Sequence, residues 1–309
     1  LKKVAFVFPG QGSQYKGMGR EIYESFQVAR EVFEEVSEGA KVDVAKICFE
    51  EDEETLKLTS NAQPAIFAVS MAVLKVLEKE GGIKPFVVAG HSLGEFSAVC
   101  CAGCVSVMDG GFLVRKRGEF MESAIPPGKG GMSAVIGLDE ETVKKCLEQV
   151  KSGYVIIANY NSPEQLVISG EIKPLEEAEE ILKSAGAKRV VRLSVSAPFH
   201  SKFMKPAGEK LKEVMESINF KDAEVPVVSN VDAQPVTKKE EIKDRLYRQA
   251  FMPVRWTDDM KKLKEFEPDI IVEVGPKNVL RGLFRKTFPE MTVISVEKPK
   301  EVEKCLSML

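Results

Sequence analysis

The chain has 309 residues, 44% of them hydrophobic and 29% charged, which is enough to bury a sizeable core without disulfide or metal support. A net charge of −3 and a pI near 5.8 argue against nonspecific nucleic-acid binding as the main activity. The weakly polar stretch 96–108 is too short to span a bilayer.

Residues 2–8 run straight into a strand, with no n-region, long h-region or cleavage site, so a cytoplasmic protein is expected. A glycine-rich loop follows at 9–19. Its spacing matches neither G-x-G-x-x-G nor G-K-[ST], so nucleotide binding is not the reading. The glycines instead let backbone amides approach a ligand, and the Gln11 amide is a candidate oxyanion donor. Helical patterns then cover about 20–38 and 61–80, with Pro64 suited to a first helical turn.

The apolar run 85–89 leads into Gly90-His91-Ser92-Leu93-Gly94, and a helix is expected over 95–108. Strand, tight turn and helix are the setting G-x-S-x-G requires. Ser92 would stand exposed as a nucleophile, with the Leu93 amide aimed at the carbonyl oxygen it attacks. Six cysteines occur, and 101–104 formally matches C-x-x-C on that helix. Without a second pair or a nearby histidine, buried thiols are expected and no metal.

A helix over about 109–123 carries Arg115, Lys116 and Arg117. Arg117 has Leu113, Val114, Phe120 and Met121 on its own face, so its guanidinium points inward and needs an anion. Periodicity alone favours an internal carboxylate over a substrate carboxylate. After the break at 126–131, short units alternate as strand 132–138, helix 139–151, strands 155–159 and 165–169, helix 174–185 and strand 190–195. This βαββαβ order is the ferredoxin-like split pattern, read as a domain inserted at 128–194 whose edge walls a cleft over Ser92.

Only two histidines are present. His91 diverges from Ser92 at a sharp elbow. His200, in the Pro-containing loop 196–201, is therefore the expected general base. The remainder continues the alternation, with strands at 225–229, 269–273 and 292–296 and helices near 239–249, 256–265 and 277–286.

The segments 9–14, 90–95, 117–118, 197–201, 229–231 and 273–276, in this order, resemble the malonyl-CoA:acyl-carrier-protein transacylases. The resemblance runs to about residue 296. It implies an α/β fold, an α/β-hydrolase-like large domain (1–127 and 195–309) with an inserted ferredoxin-like domain (128–194). It also implies Ser92 as nucleophile, His200 as base and the amides of Gln11 and Leu93 as oxyanion hole. Arg117 would bind the malonate carboxylate, reversing the periodicity reading, and the Gln249 carbonyl would orient the histidine. Gln63, Asn159 and Asn161 resemble pocket-lining positions, and Phe199 the aromatic that leaves no room for a 2-methyl branch. Phe96 stands where tyrosine is common.

The implied substrates are malonyl-CoA and the phosphopantetheine thiol of an acyl carrier protein, in fatty acid biosynthesis, with no bound cofactor. A monomer with no nucleic-acid or membrane partner is expected. An ordinary serine esterase or thioesterase is the rival, but its order of Ser, acid and a late His is not met, since no histidine follows residue 200. A silent carrier-protein binding module is disfavoured by Ser92, His200 and Arg117 occurring together.

Overall fold

A computed structural model describes all residues, 1–309. Strand β1 (Val4–Phe8) is followed by α1 (Arg20–Ser25), α2 (Gln27–Ala40), α3 (Val44–Phe49), α4 (Glu53–Lys57) and α5 (Thr59–Gly81). Then come β2 (Val87–Gly90), α6 (Leu93–Cys101), α7 (Val107–Glu122), β3 (Gly130–Ile136), α8 (Glu140–Glu148), β4 (Val155–Ser162), β5 (Gln165–Glu171), α9 (Ile172–Ser184) and β6 (Arg189–Arg192). A short 3-10 turn at Lys202–Met204 precedes α10 (Lys205–Glu216), β7 (Val227–Val228), β8 (Pro235–Val236), α11 (Lys239–Gln249) and α12 (Trp256–Glu265). Strand β9 (Ile270–Val274), α13 (Val279–Thr287), β10 (Val293–Val296) and α14 (Pro299–Met308) complete the chain.

The larger sheet has the order β10-β9-β1-β2-β7-β8, parallel except for the β7–β8 pair. All five residues of β1 are buried, as a central strand covered on both faces requires. Val4, Phe6 and Phe8 face a 52-residue core shared with α2, α5, α6 and α7; Ala5 and Val7 face a smaller one built with Trp256, Met260, Leu283 and Phe284. The two-residue side-chain period of a strand thus divides one short segment between two cores.

The second sheet, β4-β5-β3-β6, is antiparallel throughout. Helices α8 and α9 cover one face, around Val135, Leu166, Ile168 and Leu175. The other face presents Met132, Ala158 and Val167 to Met121, Phe199 and Met204, joining the two sheets. Edge strand β4 is also stitched to the segment after α11: Val254 donates its N–H to Ala158 at 2.8 Å and accepts from Tyr160 at 2.9 Å.

Three expectations about helices need correction. The pattern over 20–38 is two helices, because Phe26 is extended. The helix expected over 95–108 ends at Cys101. Gly103 is left-handed, with Gly103 N–H bonded to Cys100 and Cys104 N–H to Val99, a Schellman stop. A new helix, α7, starts behind Ser106, whose hydroxyl caps the Asp109 amide, so Cys104 lies off the helix of Cys101. Pro64 falls six residues into α5 rather than in its first turn. It has no N–H for the Ser60 carbonyl, and Arg115 donates to that oxygen at 2.7 Å instead. Helix α5 is long and apolar enough to cross a membrane, but 83% of its most apolar window is buried within the fold.

Candidate active site

Ser92 occupies the turn between β2 and α6 with φ 53° and ψ −110°, a conformation serine rarely adopts. The turn is tight because nothing larger than glycine fits beside it. A Cβ on Gly94 would lie 2.0 Å from the Phe8 carbonyl, and one on Gly10 would lie 2.3 Å from that of His91. The glycine-rich loop after β1 is thereby pressed against the elbow. Leu93 N–H is the first amide of α6, with no carbonyl behind it in the helix, and Gln11 N–H makes no hydrogen bond. The Gln11 side chain is anchored on the Thr59 hydroxyl at 3.1 Å.

His200 comes from the loop between β6 and α10 and also has positive φ, 54°. Its Nε2 lies 2.8 Å from Ser92 Oγ, and its Nδ1 lies 2.8 Å from the Gln249 carbonyl oxygen. A carbonyl only accepts, so Nδ1 carries the proton and Nε2 is free to take one from the serine. Burial, and then the positive charge of Arg117, lower the imidazole to about 3, keeping it neutral. His91 points elsewhere, its Nε2 2.7 Å from Asn161 Oδ1.

Arg117 is almost fully buried and no carboxylate pairs with it, although the same helix gives Arg115 and Lys116 a shared partner in Glu119. It donates to Gln63 Oε1 at 2.8 Å, Gln249 Oε1 at 2.8 Å and Ser92 Oγ at 3.1 Å, all neutral oxygens, while its Nε has no partner. Its guanidinium rests on the Phe96 ring, 5.0 Å from the centroid. Burial lowers it to about 9, so it remains a cation at neutral pH. The internal ion pair favoured by periodicity is not formed.

A cavity of about 260 Å³ opens over Ser92, walled by Gln11, His91, Arg117, Asn159, Asn161, Phe199 and His200, with Met121, Met132 and Val167 as apolar lining. Gln63 is not in this wall; it sits behind Arg117 as its hydrogen-bond partner, so the pocket-lining expectation is corrected there. Asn159 carries a buried Oδ1 without a partner.

Asn230 lies within the segment 229–231 and Glu95 within 90–95, yet neither residue type there, nor Asp259, signals a role at the site. Asn230 accepts from Ser92 N–H at 2.8 Å, and its own N–H donates to Glu95 Oε1 at 2.7 Å. Burial pushes Glu95 up to about 7; burial, and next the charge of Glu95, raise Asp259 well above the carboxylate range. Three buried polar residues converging beside a nucleophile leave no local sequence signal, because they lie 135 and 29 residues apart.

The acyl transferase domain family matches residues 5–305. The malonyl CoA-acyl carrier protein transacylase of Bacillus subtilis (strain 168) is 46% identical over all of this chain and 98% of its own length. That of Escherichia coli (strain K12) is 39% identical over the whole of both. Among solved structures, an acyl-carrier-protein-S-malonyltransferase from Bartonella henselae superposes with a TM-score of 0.96 at 42% identity, covering 99% of each chain. A malonyl-transacylase in complex with a type II PKS acyl-carrier protein has a TM-score of 0.96 at 39% identity, covering 99% of this chain and 100% of its own. With the ordered motifs, the two-sheet fold and full-length similarity in agreement, the chain belongs to the malonyl-CoA:acyl-carrier-protein transacylase family.

Proposed function

We propose that the chain transfers a malonyl group from coenzyme A to the phosphopantetheine thiol of an acyl carrier protein, through an ester on Ser92, in fatty acid biosynthesis. The observation that carries this reading is Arg117, a buried cation with no protein carboxylate, 3.1 Å from the serine oxygen. A substrate with a thioester and a free carboxylate two carbons apart supplies the missing anion while placing its carbonyl at Oγ.

His200 Nε2 takes the Ser92 proton as Oγ attacks the thioester carbon. The amides of Gln11 and Leu93 receive the oxyanion. The tetrahedral adduct collapses, the carbon–sulfur bond breaks, and the leaving thiolate takes the proton from the imidazolium. The carrier thiol then gives its proton to Nε2, attacks the malonyl ester, and Oγ leaves with that proton. Gln249 supports both partners, its carbonyl holding His200 and its side chain holding Arg117. Phe199 walls the space beside the acyl carbon and would exclude a 2-methyl branch.

The inserted domain, 128–194, belongs to the same reading; its separate antiparallel sheet and its own apolar core support it. Six free cysteines, four of them buried, suit a reducing cytoplasm. The test is intact mass after brief exposure to malonyl-CoA or acetyl-CoA, with Ser92→Ala alongside and holo carrier protein added afterwards. A malonyl adduct absent from the variant and discharged onto the carrier is expected. No adduct, or one lost to water as fast as to carrier, would return the assignment to a binding module or a hydrolase.

A further inference from the structure

We infer that Asn230 is a positioning residue of this site: its side-chain amide, oriented by Gly90 and Asp259, holds the Ser92 amide and the Gln249 side chain together and so sets nucleophile against base. The inference deepens, and rests on, the acyl-transfer reading of Ser92.

Asn230 is fully buried in the turn that follows β7, beside the elbow. The orientation of its amide is dictated by its partners. Nδ2 lies 2.7 Å from the Gly90 carbonyl, which only accepts, and Oδ1 lies 2.8 Å from Ser92 N–H, which only donates. The remaining capacity is also used. Nδ2 donates to Asp259 Oδ2 at 2.7 Å, and Oδ1 receives a weaker bond from Gln249 Nε2 at 3.3 Å. One planar group therefore clasps residues 90 and 92 on either side of the strained turn.

Its reach goes further through Gln249. That side chain donates to the Ser92 carbonyl at 2.9 Å and accepts from Arg117, while its backbone oxygen holds His200 Nδ1. Nucleophile, base and guanidinium thus share a single anchor. Asn230 is absent from the cavity wall, so it acts on the reaction only through these residues. Asp259 supplies a second observation. It is a fully buried carboxyl group whose second oxygen has no partner, and its one side-chain hydrogen bond goes to Asn230. A group so expensive to bury is accounted for by the orientation it gives.

The experiment compares Asn230→Asp, the double variant Asn230→Asp/Asp259→Asn, and Asp259→Leu, in the full chain. Asn230→Asp keeps the shape but turns an oxygen toward the Gly90 and Asp259 oxygens; the second substitution restores a donor between positions 230 and 259. Two rates are read: malonyl-ester formation on Ser92 from malonyl-CoA, and inactivation by a fluorophosphonate. In the latter, Oγ displaces fluoride from phosphorus and gives its proton to His200, with no substrate carboxylate for Arg117 to bind.

A misplacement of about 1 Å at a reacting group costs on the order of 100-fold, and Asn230→Asp is expected to lose that much in both rates. The double variant should recover about tenfold, since one of the two inverted contacts is repaired. Asp259→Leu, which removes an orphaned acid and should fold well, is expected to slow fluorophosphonate inactivation roughly tenfold. Asn230→Asp within threefold of the wild-type rates, a folded double variant no faster than the single, or Asp259→Leu at the full rate would each overturn the inference. Should Asn230→Asp fail to fold, the Asp259→Leu rate decides. Wild-type chain that reacts with fluorophosphonate but forms no malonyl ester would sink the malonyl reading, while the inactivation rates still judge Asn230.

Discussion

Replacing Arg117 with alanine should reverse the preference between malonyl and acetyl groups. The guanidinium has three neutral hydrogen-bond acceptors and no carboxylate within ion-pairing distance, Glu95 acting on it only through the longer-range field, so a bound malonate carboxylate is the direct partner its charge lacks. Two unit charges about 4 Å apart at an effective dielectric near 20 attract by roughly 4 kcal/mol. That is about a thousandfold in kcat/KM, and water entering the vacated space reduces it to ~10²–10³. An acetyl group leaves the buried cation unpaired in the wild type, so its transfer should be unchanged or faster in the variant. Initial rates of Ser92 acylation by each thioester, followed by intact mass, give the ratio directly. Arg117→Met, which keeps an apolar chain over Phe96, separates lost charge from lost packing and should show the same reversal. A malonyl-to-acetyl ratio within threefold of wild type in both variants would refute the electrostatic assignment.

Three further outcomes follow from the same geometry. Because His200 is lowered to about 3, kcat/KM for acylation should stay level from pH 8 down to 5; a half-maximal point between pH 6 and 7 would show an unshifted base. In Arg117→Ala that acid limb should move upward, since one of the two main causes of the depression is gone. Phe199→Ala should raise use of methylmalonyl-CoA relative to malonyl-CoA by ~10–200-fold, the usual worth of space for one methyl group, and an unmoved ratio would relieve Phe199 of the specificity role. Glu95, at about 7 in the folded state against an ordinary 4.5, holds a proton that the unfolded chain releases, so stability falls as pH rises through that window. The loss from this group amounts to about 3 kcal/mol, and Glu95→Gln, which keeps an acceptor for Asn230 N–H, should remove that part of the slope while leaving the like contribution of buried Glu273. Urea unfolding at pH 5 and pH 8 checks this; equal pH slopes in the two proteins would contradict it.

Ser92, His200 and Arg117 were legible in the sequence for three different reasons. The elbow is a local pattern of glycines around a strand–helix turn. The base was found by scarcity, since only two histidines exist and one adjoins the nucleophile. Arg117 was found by a face: its helical neighbours are apolar, which turns a charge inward. That Gln63 and Gln249 meet that charge was not legible from periodicity, because they lie 54 and 132 residues away, and the resemblance implied other roles for them, a pocket lining and a carbonyl for His200. Most strands of both sheets could be read from short apolar runs, β7 among them within 225–229, whereas β8 has two residues and α3 and α4 have six and five, too few for periodicity to register. The stop after Cys101 is written in Gly103, yet the apolar pattern continues through it, so hydrophobicity and turn chemistry gave opposite answers there.

The two hydrogen bonds between Val254 and β4 carry a mechanical consequence. The edge of the small sheet is occupied by the backbone that follows Gln249, five residues from the carbonyl that aims His200. Widening the cleft by rotating one sheet away from the other would first have to unzip that seam and drag on the histidine's support. The base and the roof of the cavity thus share a rigid chassis. Amide hydrogen exchange at Tyr160 and Val254 should accordingly occur by one common opening, far slower than the turnover of acyl groups beneath it.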